Sequence, residues 1–340
     1  MDLLTHGIMG ATLAQCGFQK SLGRKVILWG ALAAMLPDID VLVGTFAGPF
    51  ADFKYHRWIT HSFWFGPVIG SGLGYLLWRL EERRQSLKLW IFFFILTLIT
   101  HPLLDLLTSF GTQLFAPFSD VRCSLDIISI VDLRYTGPLL VALILGFIFK
   151  KRENIVTGIS LGAFGLSCAY LVYAVDLHRQ SMDQAHQDWH HQHPHDSYVS
   201  LRSFPTLFQS YLRHLVIRYR DQICVGAQRV PNDGDRSIRW HCATQLPNAC
   251  AIKLIGTPMG QRFAWFADDN YRAEVLSNNM IRFHDLRYPV FDRPLDGMWG
   301  IEGQCIPELQ LRHFRHKIPI TQQTLKNIGS YWQGELREIQ

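Results

Sequence analysis

The 340-residue chain has no run of five or six like charges and no zinc-finger or basic-helix pattern, and its formal net charge of +5 is spread along its length. Those absences remove the usual footprint of nucleic-acid binding, and no nucleic acid is expected as a partner. It also has no glycine-rich phosphate loop and no nucleophile elbow; the fragment GTPMGQ at 256–261 reads as a turn. A cleavable leader is not expected either. Residues 1–17 lack a basic start and carry His6 inside their apolar stretch, so they read as a short first membrane helix that stays.

Charge is scarce in residues 1–176, where long apolar runs dominate, and residues 177–340 hold most of it. A bilayer core takes about 20 mainly apolar residues per helix. Six segments qualify, at 3–18, 26–46, 60–79, 88–108, 137–149 and 154–175, the first and fifth being short. Lys20, Arg24 and Lys25 fall in one connection, Arg79, Arg83, Arg84 and Lys88 in another, and Lys150, Lys151 and Arg152 in a third. These are alternate loops, and the positive-inside bias puts all three in the cytoplasm. Both termini and the 47–59 and 109–136 loops then lie outside.

Under that topology the ionisable residues of four segments gather near the outer face. His6 lies in the first, Asp38 and Asp40 in the second, His56, Arg57 and His61 at the mouth of the third, and His101 with Asp105 at the end of the fourth. His101 and Asp105 are four apart and share a helix face. His56 and His61, five apart, converge only if His56 precedes the helix, with Thr60 as its N-cap. Asp38 and Asp40 could both turn inward if Pro37 breaks their helix. Imidazole and carboxylate without thiolate suit zinc, with manganese or iron as alternatives. Seven candidate ligands leave room for two ions, an arrangement common in phosphoester hydrolysis. Arg57 and Asp40 are the candidate catalytic residues, Arg57 to hold an anionic substrate or steady developing charge. Thr108, Ser109 and Gly111 either line this site or simply end the helix, and Asp120, Asp126 and Asp132 are expected to be solvated in the outer loop.

The blocks LLTHG (3–7), LPDID (36–40), HRWITHS (56–62) and THPLLDLLTSFGTQLFAPFS (100–119) resemble those of the YdjM-type family of inner-membrane, metal-dependent hydrolases. The resemblance implies an integral membrane protein of the bacterial inner membrane with a hydrolase-like metal site. It carries onto His6, Asp38, Asp40, His56, His61, His101 and Asp105. The family label also mentions LexA, which implies a regulatory link and nothing about contact. DLRYPVF at 285–291 is similar to a segment in the tails of longer members, and the order of histidines and aspartates is similar in outline to zinc-dependent phospholipase C.

Residues 177–198 are rich in histidine and read as a polar linker, helical at most up to Pro194, with metal gathering as a secondary role. In the remainder, YLRHLVIRYRDQICVGAQR reads as a helix passing into a strand. ACAIKLIGTPMGQRFAWFADD, NMIRFHDLRYPVF and MWGIEGQCIPELQLRHF read as antiparallel strands. The expected architecture is therefore an α-helical polytopic membrane domain of about six helices, followed by a small, mostly β (α+β) domain at 199–340 in the periplasm. Cys224, Cys242, Cys250 and Cys305 lie in that domain; two disulfides with three possible pairings, or four thiols, fit the sequence equally. The leading functional reading is a metal-dependent hydrolase of a phosphoester or other ester on a lipid or membrane-proximal substrate. The alternative is a non-enzymatic, metal-stabilised scaffold or stress-response partner. A transporter ranks third, because the polar groups crowd one end instead of crossing the midplane.

Overall fold

In the computed structural model of the chain, the described residues are 1–46, 50–82, 85–231, 237–276, 280–290, 293–305 and 310–315. They divide into two units: Met1–Ala47, Tyr55–Val175 and Leu207–Gln209 in the first, Gly48–Lys54, Asp176–Thr206 and Ser210–Gln340 in the second.

The first unit is helical. Asp2 caps α1 (Leu3–Leu13) by accepting the Thr5 N–H at 3.0 Å. A π turn over Ala14–Phe18 leads into α2 (Gln19–Leu22), and α3 (Val26–Met35) follows. Pro37 then tightens the chain into a 3-10 turn, Leu36–Asp40, before α4 (Val41–Phe46). After α5 (Ala51–Tyr55) a second 3-10 turn, Ile59–His61, precedes α6 (Phe65–Leu80), α7 (Leu87–Leu106), α8 (Leu133–Ile148) and α9 (Glu153–Gln192). Three stretches are long and apolar enough to cross a bilayer: Val26–Val43, Leu87–Leu106 and a window inside α9, with α8 apolar but shorter. Their outward residues are apolar too. Leu28, Val141, Phe147 and Val172 are exposed, as a lipid-facing surface requires.

Glycine sets how closely these helices approach. A Cβ on Gly10 of α1 would stand 2.2 Å from the Gly30 carbonyl oxygen of α3, and one on Gly70 of α6 would stand 2.7 Å from the Ile95 nitrogen of α7. Gly66 and Gly74 meet Ile99 and Ile91 in the same way, so α6 presents the small-residue stripe by which membrane helices pack. At the far end from the histidines the basic connections meet. Lys25 pairs with Glu81 at 3.3 Å, Arg24 donates to the Lys150 carbonyl at 2.8 Å, and Lys20 donates to Asn154 at 2.8 Å. Arg83 and Arg84 lie outside the described residues.

Several local expectations change. The third helix opens at Phe65 rather than Thr60, because residues 56–64 follow the tighter turn and Thr60 spends its hydroxyl on Asp40 instead of capping. The fifth opens four residues early, since Asp132 caps α8 by accepting from Arg134 N–H and Tyr135 N–H. Asp132 also accepts the Tyr170 hydroxyl at 2.7 Å, and it and Asp126 are buried, so neither is solvated; Asp120 is exposed.

In the second unit β1 (Ser200–Pro205), β2 (Leu212–Tyr219), β3 (Gln222–Arg229) and β4 (His241–Thr244) form one antiparallel sheet in that order. The segment expected to run from helix to strand is thus the β2–β3 hairpin, turning at Arg220 with φ 51°. Its near-continuous apolar run is explained by burial of both faces. Next come α10 (Ala249–Ile255) and α11 (Pro258–Phe266), where strands were expected. Asn248 and Thr257 cap them by accepting Ala251 and Gly260 N–H groups, and Pro258 starts α11, so the capping residues outweigh the apparent alternation. β5 (Tyr271–Val275), β6 (Met280–Asp285), a small hairpin of β7 (Pro289–Val290) with β8 (Arg293–Gly297), β9 (Trp299–Gln304) and β10 (Gln310–Arg315) complete the unit, with a second sheet ordered β10-β9-β6-β5. Of the DLRYPVF segment, Phe291 lies outside the described residues. Disulfides join Cys224 to Cys242 and Cys250 to Cys305. Residues expected as a polar linker are the end of α9, whose Ala185 and Trp189 are fully buried against Leu215, Ile217 and Cys224.

Candidate metal centre

Four segments of the first unit bring their polar side chains to one buried place. α7 stacks His101 and Asp105 one turn apart, both fully buried. The turn after α3 supplies Asp38 and Asp40. With three residues per turn, carboxylates two apart point about 120° from one another and take different partners. The turn before α6 supplies His61, and α1 supplies His6.

Donor atoms of Asp38, His61, His101 and Asp105 all lie within 4.8 Å of one another. Their hydrogen bonds fix which atoms face inward. His101 Nδ1 stands 2.6 Å from the Ala34 carbonyl oxygen, which can only accept, so that nitrogen carries the proton and Nε2 keeps its lone pair. His61 Nδ1 lies 3.0 Å from Thr60 Oγ1 and 3.2 Å from Asp40 Oδ2. The Thr60 proton already goes to Asp40 at 2.7 Å, so His61 donates from Nδ1, and the neutral ring keeps its lone pair on Nε2. The two Nε2 atoms are 3.0 Å apart. Asp105 Oδ2 stands 3.2 Å and 3.4 Å from them and Asp38 Oδ1 3.3 Å and 3.5 Å. Asp105 Oδ2 is buried and receives no hydrogen bond. With both rings neutral, four acceptor atoms face each other, an arrangement that a cation among them satisfies. The donor set fits a divalent metal ion.

Both oxygens of Asp40 accept hydrogen bonds. Oδ1 accepts from His56 Nδ1 at 2.8 Å; Oδ2 accepts from the Arg57 N–H at 2.8 Å and from Thr60, beside His61. A second group able to hold an ion, Asp38, Asp40 and His56, shares this carboxylate. Arg57 is buried and sits at φ 63°, in the left-handed region that a side chain of its size rarely enters. Its N–H on Asp40 and its carbonyl, which accepts from Gln113 N–H at 3.1 Å, hold it there. Its guanidinium reaches Asp105 Oδ1 at 3.1 Å, donates to Thr108 at 3.2 Å and lies over the Phe110 ring at 4.6 Å. His6 stacks on His101 with ring centroids 3.6 Å apart and faces Asp105 Oδ1 at 3.2 Å, outside the four-atom group. The Met1 amino group also bonds Asp105.

All seven expected ligands and Arg57 thus lie in one network of contacts, with partners that spacing did not reveal. Thr108 belongs to it through Arg57. Thr60 and Phe110 were missed as participants, though the Asp-to-Thr spacing gave no sign of them. The Ala34 carbonyl carries no sequence signal at all.

In the second unit Glu274, His284 and Asp296 also stand close together. There Gly297 N–H donates to His284 Nδ1 at 3.1 Å, so the neutral ring carries its proton on Nε2, facing Glu274 Oε2 at 3.0 Å. The nitrogen nearest the carboxylates is protonated, Arg272 lies 3.7 Å and 3.6 Å from the two acids, and the group is an ion-pair network. The bond from His284 holds the Glu274 carboxyl below its usual range.

Comparison with known proteins matches residues 1–179 to the family model described as YdjM inner membrane protein. The chain is also similar to the inner membrane protein YbcI of Escherichia coli (strain K12), 27% identical over 147 residues that cover 40% of this chain and 82% of that protein. No solved structure matches the chain.

Proposed function

Because this chain belongs to the YdjM inner membrane protein family, we propose that it is a multi-pass inner-membrane, metal-dependent hydrolase acting on a phosphoester or other ester of a lipid or membrane-proximal substrate. The observation that carries this reading is the group of four ligand atoms gathered around one point, two imidazole nitrogens and two carboxylate oxygens. His61, His101, Asp38 and Asp105 would hold the ion, zinc first, with manganese or iron suited to the same donors. When bound, a divalent cation supplies Lewis-acid polarisation of an ester oxygen and makes water acidic enough to attack near neutral pH.

The remaining residues act around it. Asp40 orients His61 through its Nδ1–H and is a positioning residue rather than a ligand, the carboxylate–histidine pairing common behind metal sites. His56, hydrogen-bonded to Asp40 through Nδ1 and partly exposed, can offer its other ring nitrogen to carry a proton for the leaving group. Arg57 secures Asp105 Oδ1, which leaves Oδ2 for the ion, and its buried positive charge steadies negative charge growing on the ester. His6 walls the site by stacking on His101. Asp38, 13% exposed, and His56, 20% exposed, mark the side from which substrate arrives.

The orientation has two supports. The basic connections pair with one another at the opposite end of the helices, as a cytoplasmic face would. α9 starts beside that face, and a helix of about 20 residues crosses a bilayer, which sends its far end to the periplasm. The two disulfides suit that oxidising side.

The test is metal content of the purified protein, followed by hydrolysis of bis-p-nitrophenyl phosphate and of phospholipid vesicles by the wild type, His61→Ala and Asp105→Ala. Stoichiometric metal, lost together with turnover in both variants, is expected. Absence of metal while both variants fold as the wild type does would end the proposal. Metal with no ester cleaved, and variants that only lose stability, would favour the scaffold reading.

A further inference from the structure

The second unit holds a pair of histidines that the proposed centre does not use. His186 and His190 lie four apart on α9, one turn above the other, with ring centroids 4.5 Å apart at 74°. Both are exposed. The helix beneath them is fixed: Ala185 and Trp189 are fully buried, and Asp188 accepts the Ile238 N–H at 3.0 Å and the Trp240 indole N–H at 2.9 Å.

We propose that His186 and His190 form a bis-imidazole chelate for an exchangeable divalent transition-metal ion, zinc or copper in kind, on the surface of the second unit.

Two imidazoles at this spacing on a rigid helix need little further ordering to meet one ion, unlike histidines on a disordered tail. Tyr198 adds an orienting contact. Its hydroxyl lies 2.8 Å from His186 Nδ1, and its ring centroid stands 5.9 Å and 6.0 Å from the two imidazoles. A phenol can accept the Nδ1 proton, and His186 then offers Nε2 as a lone pair, as metal-bound histidines do when an outer oxygen holds the other nitrogen. His190 makes ring contacts and no hydrogen bond among the described residues, so no partner competes for it. The other histidines here are differently placed. His193 stacks on Trp189 with centroids 4.1 Å apart, and His191 is a quarter-turn off the chelating face. Two nitrogen ligands in open solvent leave the remaining positions to water, so the ion exchanges freely, and copper binds ahead of zinc.

The test uses the full-length protein in detergent and reads carbethoxylation of each histidine by diethylpyrocarbonate, peptide by peptide, with and without zinc. That readout is local and does not depend on the membrane centre or on any hydrolytic activity. With zinc at about ten times its Kd, modification of His186 and His190 is expected to slow together, about tenfold. In His186→Gln the protection of His190 disappears, and in His190→Gln that of His186 does. In His191→Gln combined with His195→Gln both remain protected. Protection of neither ring, survival of protection after one partner is replaced, or its loss in the His191/His195 variant would each overturn the proposal. All four positions are solvent-facing, and unchanged circular dichroism and melting of each variant accompany the measurement.

Discussion

Asp40→Asn separates an orienting carboxylate from a metal ligand. In the wild type Asp40 Oδ2 lies 3.2 Å from His61 Nδ1, and the same carboxylate takes His56 Nδ1, the Arg57 N–H and the Thr60 hydroxyl. Asparagine keeps the size and one acceptor oxygen. It loses the charge that favours Nδ1–H on His61, and its amide hydrogens point where donors already stand. The ring then keeps its place but no longer has its proton fixed away from the ion. Loss of such an outer partner costs about 10- to 100-fold in metal affinity, about 1.4 to 2.7 kcal/mol. Thr60→Val removes only the hydroxyl shared by Asp40 and His61 and is expected to cost less, near the lower bound of about tenfold. His101→Ala, which deletes one of the four inward atoms, should cost more than either. The assay is equilibrium competition for zinc between the detergent-solubilised protein and a chelator of known affinity. An Asp40→Asn affinity equal to wild type would refute the orienting role, and a loss as large as that of His101→Ala would make Asp40 a ligand.

Other perturbations read other parts of the fold. Gly70→Leu drives a side chain into the Ile95 backbone and should cost several kcal/mol and the metal carried by α7, about 1 to 3 kcal/mol being usual for overpacking alone. Gly72→Leu, where a Cβ meets nothing within 4 Å, should be silent in melting and metal content. Reducing the disulfides, which close separations of 18 and 55 residues, should destabilise the second unit by about 3 and about 4 kcal/mol on the chain-entropy account. A thiol reagent that leaves its melting unmoved would contradict the pairing. Burial lowers the His214 pKa from 6.5 to about 4, against the opposing pull of a Leu286 backbone hydrogen bond. The unfolded chain then binds the extra proton, so stability is full above pH 6.5 and falls by about 3 kcal/mol on acidification towards pH 4. His214→Leu should flatten that slope, and an unchanged slope between pH 6.5 and 4.5, above the range where Glu274 contributes, would refute the assignment.

The membrane half was legible because its signals are long and redundant. Apolar runs cannot hide in a sequence this poor in charge, and the spacing of His101 and Asp105 puts them on one face of any helix containing both. The second half was less legible because its decisive signals are single residues. Asn248 and Thr257 cap two short helices through stretches whose alternation reads as strand, and β2 is buried on both faces, so its apolar run lost the period of two. Trp189 gave no warning that the histidine-rich stretch is an anchored helix; its packing on Leu215 and Ile217 joins residues more than 20 apart. Within the centre, sequence supplied the residue types but not their division of labour. Asp38 and Asp40 look alike on paper, and only the 3-10 turn sends one to His101 and the other to His56, Arg57 and Thr60.

That turn also accounts for the protonation of His101. At the end of α3 the chain has already tightened, the Leu36 N–H bonding to the Ala33 carbonyl three residues back. Continued by one residue, the same pattern would give the Ala34 carbonyl to residue 37, which is proline and has no N–H. A buried carbonyl needs a donor, and His101 Nδ1 supplies it at 2.6 Å. One imino acid therefore bends the helix that carries Asp38 and Asp40, and leaves open the acceptor that turns the lone pair of His101 inward. Pro37→Ala restores a competing donor. It is expected to lower zinc affinity in the same competition assay even though residue 37 is no ligand, and an affinity equal to wild type would mean that His101 holds its tautomer without help from the turn.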